Sequence, residues 1–266
     1  LASGKKLGAY SLSESQSGSD AVRMKTFAEK DGLDYVINGS KNWVTSGINS
    51  DIIIVFCITD KNSKKHGISA FIVEKGMHGL SLGKKEDKLG IRASDTCQIF
   101  FDNCRVPSLN MIGNPGEGFK IALTALSGGR IGIAAQALGL ARSALEKSIH
   151  YSKERKQFGK TISEFGSIKN KIAEIATDIE AARMLVWKAA YLKDQKKNYL
   201  KESAMAKLFA SNIAMRASSE CVQIHGGYGY IQEYGVERLM RDAKITQIYE
   251  GTSEIQKLVI AREVLK

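Results

Sequence analysis

Residues 111–118, MIGNPGEG, mark the point where the grammar of this chain changes. Before them the sequence reads as strand. "LDYVINGSKNWVTSG" (33–47) alternates, with a hairpin signal at Asn38-Gly39. "DIIIVFCITD" (51–60) and "GISAFIVEKG" (67–76) are β-branched runs bounded by turn residues, and "DTCQIFFDNCRVP" (95–107) closes the set at Pro107. After them it reads as helix. "GFKIALTALSGGRIGIAAQALGLARSALEKSIHYSKER" (118–155) is long and rich in alanine and leucine. Ile168, Ile172, Ile175, Ile179, Ala182 and Val186 then recur at alternating gaps of four and three, the seam of packed near-antiparallel helices. A third helix is expected over Leu200 to Val222, and a last one opening at Thr252. No internal repeat is visible. The pattern predicts an α+β chain: a β domain over 1–115, then a helical bundle over 116–266.

At 266 residues the chain can bury one large core or two modest ones. Hydrophobic residues make up 43% and charged residues 25%, the balance of an ordered globular protein. The sequence is expected to hold no run apolar and long enough to cross a bilayer, and the N-terminus lacks the apolar core of a signal peptide. The chain opens on Leu1, in mid-element, and reads as a piece of something longer. Cys57, Cys97, Cys104 and Cys221 are scattered with no C-x-x-C pair, so neither a zinc site nor a disulfide framework is expected and a reducing compartment fits. The net charge of +11 raises the question of nucleic acid, but the lysines are dispersed in short runs such as "KNSKKHG" and "KDQKKNYLK". No nucleic-acid-binding motif accompanies them, so solvated helix faces or an anionic ligand account for them better.

Five stretches are richer than packing requires. "AYSLSESQSGSDA" (9–21) is either a polar loop or a donor-rich loop around a ligand. "NWVTSG" (42–47) offers Trp43 beside Thr45, a core tryptophan or a face for a flat cofactor. In "ERKQFGK" (154–160), a helix C-terminus with a Gly159 cap explains Arg155 and Lys156. "QIHGGYGYIQEYG" (223–235) reads as a glycine- and tyrosine-rich connector. "YEGTSEIQ" (249–256) places the carboxylate of Glu250 between an aromatic ring and a glycine, either as a solvated loop acid or as a base in an apolar pocket. No Rossmann fingerprint, Walker loop or Ser-His-Asp ordering is present.

Taken in order, "LSE…GSD", "NWVTSG", "LGIRAS-x-T", "GRIGIAAQALG", "ERKQFG", "QIHGGYGY" and "YEGTSEIQ" resemble the acyl-CoA dehydrogenases, most of all the short-chain (butyryl-CoA) members. The resemblance runs from about Tyr10 to the end. It implies a middle β-barrel-like domain followed by a C-terminal four-helix bundle, without the family's N-terminal helical domain. It also implies an FAD-dependent oxidoreductase of fatty acid β-oxidation, with an acyl-CoA substrate, a homotetrameric assembly and an electron-transferring flavoprotein as acceptor. No membrane span, nucleic acid or metal is implied. The compartment would be a bacterial cytoplasm or a mitochondrial matrix. An acyl-CoA oxidase, or an inert scaffold or nucleic-acid-binding relative, is the alternative.

By the same resemblance, Glu250 is the catalytic base, taking the α-proton while a β-hydride goes to flavin N5. Some relatives carry that base where this chain has Gly129. Tyr10, Leu12, Ser13, Gly18 and Ser19 match the loop that wraps FAD, with Ser19 also touching substrate. Trp43, Val44 and Thr45 match the segment against the isoalloxazine. Arg155 and Gln157, and Gln223, Ile224, His225, Gly226 and Gly227, match contacts to the FAD of a neighbouring subunit. Thr252 and Glu254 match adenosine or pyrophosphate contacts, and Ser127, Arg130 and Gly251 match substrate-side positions. The flavin loop departs from the family pattern, which has a proline after the glutamate. Gly166 and Lys169 also stand where relatives commonly have glutamine.

Overall fold

The computed structural model describes all 266 residues, which divide into two compact units: residues 1–88 with 92–125, and residues 89–91 with 126–266. In the first unit the β-branched runs become strands: β1 Gly8–Ser11, β2 Phe27–Asp31, β3 Asp34–Thr45, β4 Ile52–Ile58, β5 Ile68–Glu74, β6 Leu80–Leu82, β7 Thr96–Pro107 and β8 Met111–Ile112. They form one eight-stranded sheet in the order β6-β7-β3-β2-β4-β5-β8, with β1 added in parallel to β4. Ile37, Val55, Phe71, Val73, Ile99 and Val106 are fully buried in its core.

The expected hairpin at Asn38-Gly39 does not form. β3 runs straight through it, and the turn lies one strand-length earlier, where Gly32 (φ 61°) follows Asp31, which pairs with Asp34. Gly39 serves a close approach instead. It sits at a register shift of β3 against β7, and a Cβ there would fall 2.7 Å from the Thr26 Cα. A second shift lies between Lys41 and Val44, where Trp43 takes φ 62° and is 64% exposed. The bulge turns the indole outward while Val44 stays in the core.

The helical unit is built from α1 (Gly118–Glu154, whose first turns belong to the β unit), α2 (Gly166–Asp194), α3 (Leu200–His225), the short α4 (Gly227–Tyr230), α5 (Val236–Ile245) and α6 (Ser253–Val264). The α2 seam is buried at Ile175, Ile179, Ala182, Val186 and Ala189. It packs with Ala134, Ala137, Ala141 and Ala144 of α1 and with Ala206, Ala210, Ala214 and Ala217 of α3. Alanines on the α1 and α3 faces make room for the larger isoleucine and valine side chains of α2. By length and composition α1 could cross a membrane, with a best-window mean hydropathy of 1.3, which corrects the expectation that no run qualifies. Its alanine face is committed to the bundle core.

Two further expectations change. "VERLMRDAKI" adds a helix beyond those expected, α5, burying Val236, Leu239 and Ala243. α1 ends at Glu154, so Gly159 caps no helix. Phe158 (φ 53°) and Gly159 (φ 80°) instead turn a small hairpin between β9 (Lys156–Gln157) and β10 (Lys160–Thr161). All four cysteines are free and buried, and burial pushes the Cys57 thiol up to about 12, so they act as packing groups.

Candidate active site

Between α5 and α6 the chain makes a turn that an ordinary loop would avoid. Glu250 takes φ 56° and Gly251 φ 88°, two left-handed residues in succession. For a residue with a Cβ that conformation costs about 1–2 kcal/mol, so it persists only where surrounding contacts hold it. Those contacts are specific. Gln256 Nε2 donates to the carbonyls of Glu250 (3.1 Å) and Gly251 (2.8 Å). Lys207 Nζ, from the N-terminal half of α3, donates to the Gly251 carbonyl at 2.6 Å. Thr252 caps α6, its Oγ1 accepting from the Ile255 amide at 3.3 Å. The Tyr249 hydroxyl donates to Gln136 Oε1 on α1.

Position 251 has no room for a side chain, because a Cβ would lie 2.8 Å from Gln256 Nε2. Gly251→Ala is therefore expected to lower stability by about 1–2 kcal/mol from backbone strain alone. Activity should fall further, as the clash displaces the neighbouring carboxylate. Urea denaturation beside a turnover assay measures both effects.

The Glu250 carboxylate points at α1. A Cβ on Gly129 would fall 2.6 Å from its Oε2, so position 129 and the tip of Glu250 address the same space. Arg130 is only 5% exposed and Lys207 not at all. Burial drives the Glu250 carboxyl above the usual carboxylate range, and the opposing pull of Arg130 and Lys207 does not cancel it. Burial brings the Lys207 ammonium down to about 8; Arg130 adds to that shift while Glu250 and Glu254 resist it. The Arg130 Nε and Nη1 are buried with no hydrogen-bond partner. A carboxylate made more basic by burial, next to unspent cationic donors, suits proton abstraction from a substrate that develops negative charge. Ser127 lies on α1 three residues before Arg130 and is half-buried.

A second constellation in the same unit is a cleft of about 530 Å³ lined by Tyr151, Arg155, Gln157, Ile162, Ile224, His225, Gly226, Gly227, Tyr228 and Ile231. His225 stacks on Tyr151 at 4.2 Å, and its Nδ1 lies 2.7 Å from the Cys221 carbonyl. Burial lowers the His225 pKa, which favours the neutral ring. The Arg155 guanidinium lies 5.6 Å from the centre of the Tyr228 ring. Side chains at Gly226 or Gly227 would meet nothing within 4 Å, so bare backbone faces open space there. Gln223 is exposed and does not line the cleft. Thr252 and Glu254 line a smaller cleft of about 260 Å³ with Asn212, Lys244 and Gln247.

In the β unit, Tyr10 packs on Phe56 (5.1 Å between ring centres) and Leu12 is buried. The Ser13 carbonyl accepts from the Asn42 amide at 2.8 Å, while Gly18 and Ser19 are exposed at the loop tip. The loop is pinned from below by a buried ion pair, Lys41 Nζ to Glu14 Oε1 at 2.9 Å. Trp43 and Thr45 are exposed on the strand beside it, whereas Val44 offers only its backbone.

Sequence reasoning missed Lys207, Gln256 and the Lys41–Glu14 pair. The signal for Lys207 was present: "SAMAKLFAS" sets a lysine between Ala206 and Ala210 on the buried face of α3.

Two family models match the chain: "Acyl-CoA dehydrogenase, middle domain" over residues 9–104 and "Acyl-CoA dehydrogenase, C-terminal domain" over residues 116–265. The short-chain specific acyl-CoA dehydrogenase of Clostridium acetobutylicum is 52% identical over 266 residues, covering 100% of this chain and 70% of that protein. The structure of butyryl-CoA dehydrogenase from Megasphaera elsdenii superposes with a TM-score of 0.97 at 52% identity, covering 98% of this chain and 68% of that one. A chain from a structural study of the electron transferring flavoprotein of Acidaminococcus fermentans superposes with a TM-score of 0.99 at 51% identity, covering 100% of this chain and 70% of that one. The fold, the order of the motifs and these likenesses agree, and the chain belongs to the acyl-CoA dehydrogenase family.

Proposed function

We propose that this chain carries the catalytic residues of an FAD-dependent short-chain acyl-CoA dehydrogenase, converting an acyl-CoA thioester to its trans-2-enoyl product with Glu250 as the base. The observation that carries the reading is the Glu250 carboxyl itself. It is raised above its usual range by burial and held in a strained turn next to Arg130 and Lys207.

The residues present fit the cofactor. Exposed Trp43, with its left-handed backbone, offers a flat face, and the loop tip at Gly18 and Ser19 is open. The cleft around Arg155, Gln157, Gly226 and Gly227 offers a cation and bare backbone to a phosphate-bearing group. These are the residues that would hold FAD, Arg155 and its neighbours serving the FAD of a second subunit in a homotetramer. When bound, FAD supplies the acceptor for the hydride that leaves the β-carbon.

The chain's own residues do the remainder. Glu250 takes the proton from the α-carbon. The Gly251 amide and the donors of Arg130, whose Nε and Nη1 are buried without a partner, are the groups that would stabilise charge developing on the thioester oxygen. Exclusion of water strengthens both effects, since an exposed carboxylate is far too weak a base for such a carbon acid. Electrons then pass to an electron-transferring flavoprotein, a partner supported by the likeness to a chain studied with one. The compartment follows the source, cytoplasm for a bacterium and matrix for a mitochondrion.

The test is anaerobic addition of butyryl-CoA to the FAD-loaded protein. Bleaching of the flavin absorbance in wild type and not in Glu250→Gln is expected, and equal bleaching in both would remove Glu250 as the base. Oxygen uptake matching turnover would instead make the enzyme an oxidase.

A further inference from the structure

We propose that Lys207 is a positioning residue for the Glu250 carboxylate: it holds the left-handed Glu250–Gly251 turn through the Gly251 carbonyl and faces the carboxylate with a positive charge. The inference rests on the reading of Glu250 as the base.

The geometry singles Lys207 out. An ammonium has three donors and a strong preference for water, yet this one is wholly buried in the N-terminal half of α3, between Ser203, Ala204 and Ala206 on one side and Ala210 and Ser211 on the other. Packing alone does not call for it, because alanine occupies the equivalent inward positions one turn away at Ala204 and Ala210. Its hydrogen bond goes to the one carbonyl, Gly251, that follows the strained acid, at 2.6 Å. Gln256 reaches the same carbonyl from α6 at 2.8 Å, so the turn is gripped from two helices at once. Releasing one grip lets Glu250 relax toward an ordinary backbone conformation and swing its carboxylate away from Gly129.

The charge matters separately. Glu250 is faced by Arg130 from α1 and by Lys207 from α3, with Tyr249 beside it in sequence. Arg262 on α6 acts on Arg130, and Glu254, also on α6, acts on Lys207. Of the two cations that face the acid, Lys207 is the one bonded to the Glu250–Gly251 turn, so it couples the orientation of the acid to its ionisation. Removing its charge leaves the carboxylate with Arg130 alone and moves its titration upward.

The experiment uses the FAD-loaded enzyme with three substitutions. Lys207→Met removes both bond and charge, Lys207→Gln keeps a donor without the charge, and Lys207→Arg keeps the charge. The primary readout is independent of turnover: the infrared band of the protonated Glu250 carboxyl, assigned by its disappearance in Glu250→Gln, is followed against pH. The Met and Gln variants are expected to shift its midpoint upward by about one pH unit, with the acid limb of kcat moving in parallel, while Arg leaves both in place. If Lys207→Met does not fold, Lys207→Gln carries the same reading. A midpoint unmoved in every folded charge-removing variant, with kcat reduced by the same factor at all pH values, would overturn the proposal and leave Lys207 as a packing residue. Failure of the base reading looks different: Glu250→Gln would then turn over at the wild-type rate whatever Lys207 does to the infrared band.

Discussion

Replacing Glu250 with glutamine is expected to lower turnover by about 10²–10⁴-fold, the range that positioned general-base catalysis supplies. Glutamine has nearly the same volume and cannot accept the α-proton. Substrate affinity and flavin content should hold, since the Thr252 cap, the Gln256 bonds and the Lys207 bond all engage backbone or other side chains. Stability should move the opposite way to rate. Burial raises the Glu250 carboxyl above its unfolded value, so the folded protein binds this proton more tightly than the unfolded chain does. Below the unfolded carboxylate pKa, about 4.3, the acid is neutral in both states and costs nothing extra. As pH rises from there through the raised folded value, wild type loses stability relative to the glutamine variant, and the deficit remains above it. Paired thermal melts across pH measure this. A gap that widens with pH matches a base kept out of water, whereas melts that coincide at all pH values would mean a solvated acid.

The change from strand to helix around residue 115 and the α2 seam were legible because each depends on local periodicity. What the sequence hid depends on contacts distant along the chain. Asn38-Gly39 carries a hairpin signal, but the glycine answers to Thr26, a neighbour that no short window reveals. Phe158-Gly159 made a hairpin rather than a cap because α1 stopped at Glu154, which its composition does not announce. α5 was masked by the glycines and tyrosines before it, although Val236, Leu239 and Ala243 have helical spacing. At the site, Glu250 was visible as an acid beside a glycine, and resemblance supplied its role. The lysine that grips its turn comes from more than forty positions away, at a separation of 44. The left-handed strain at Trp43 and Glu250 is set by tertiary contacts that no local pattern announces.

Lys41→Met is the second substitution with a large expected effect, on stability and on cofactor retention together. The Lys41 side chain is 0% exposed and that of Glu14 3%, so neither charge is solvated. Lys41 Nζ also donates to the Leu12 carbonyl at 3.0 Å, and Glu14 accepts from the Lys25 amide at 2.6 Å, the Thr26 amide at 3.0 Å and Gln16 Nε2 at 2.7 Å. Burial pushes the Glu14 carboxyl up, but the charge of Lys41 and these hydrogen bonds outweigh it and bring the acid down to about 2. Its stabilising contribution is therefore complete above the unfolded glutamate pKa and disappears only as pH falls toward 2. Methionine fills the space and leaves a buried carboxylate without its cation, a change worth about 3–5 kcal/mol. The loss should appear in urea denaturation at neutral pH and shrink on acidification, as Glu14 in the variant takes up a proton. Because the pair ties the loop from Leu12 to Ser17 onto β3, two residues before Trp43, FAD should dissociate more readily from the variant. Lys41→Met combined with Glu14→Gln removes the stranded charge and should recover part of the stability. It should not recover the flavin affinity, because the tie between loop and strand is still cut. A double variant that regained both would show that Lys41 acts through charge balance alone, and that the loop keeps its shape without it.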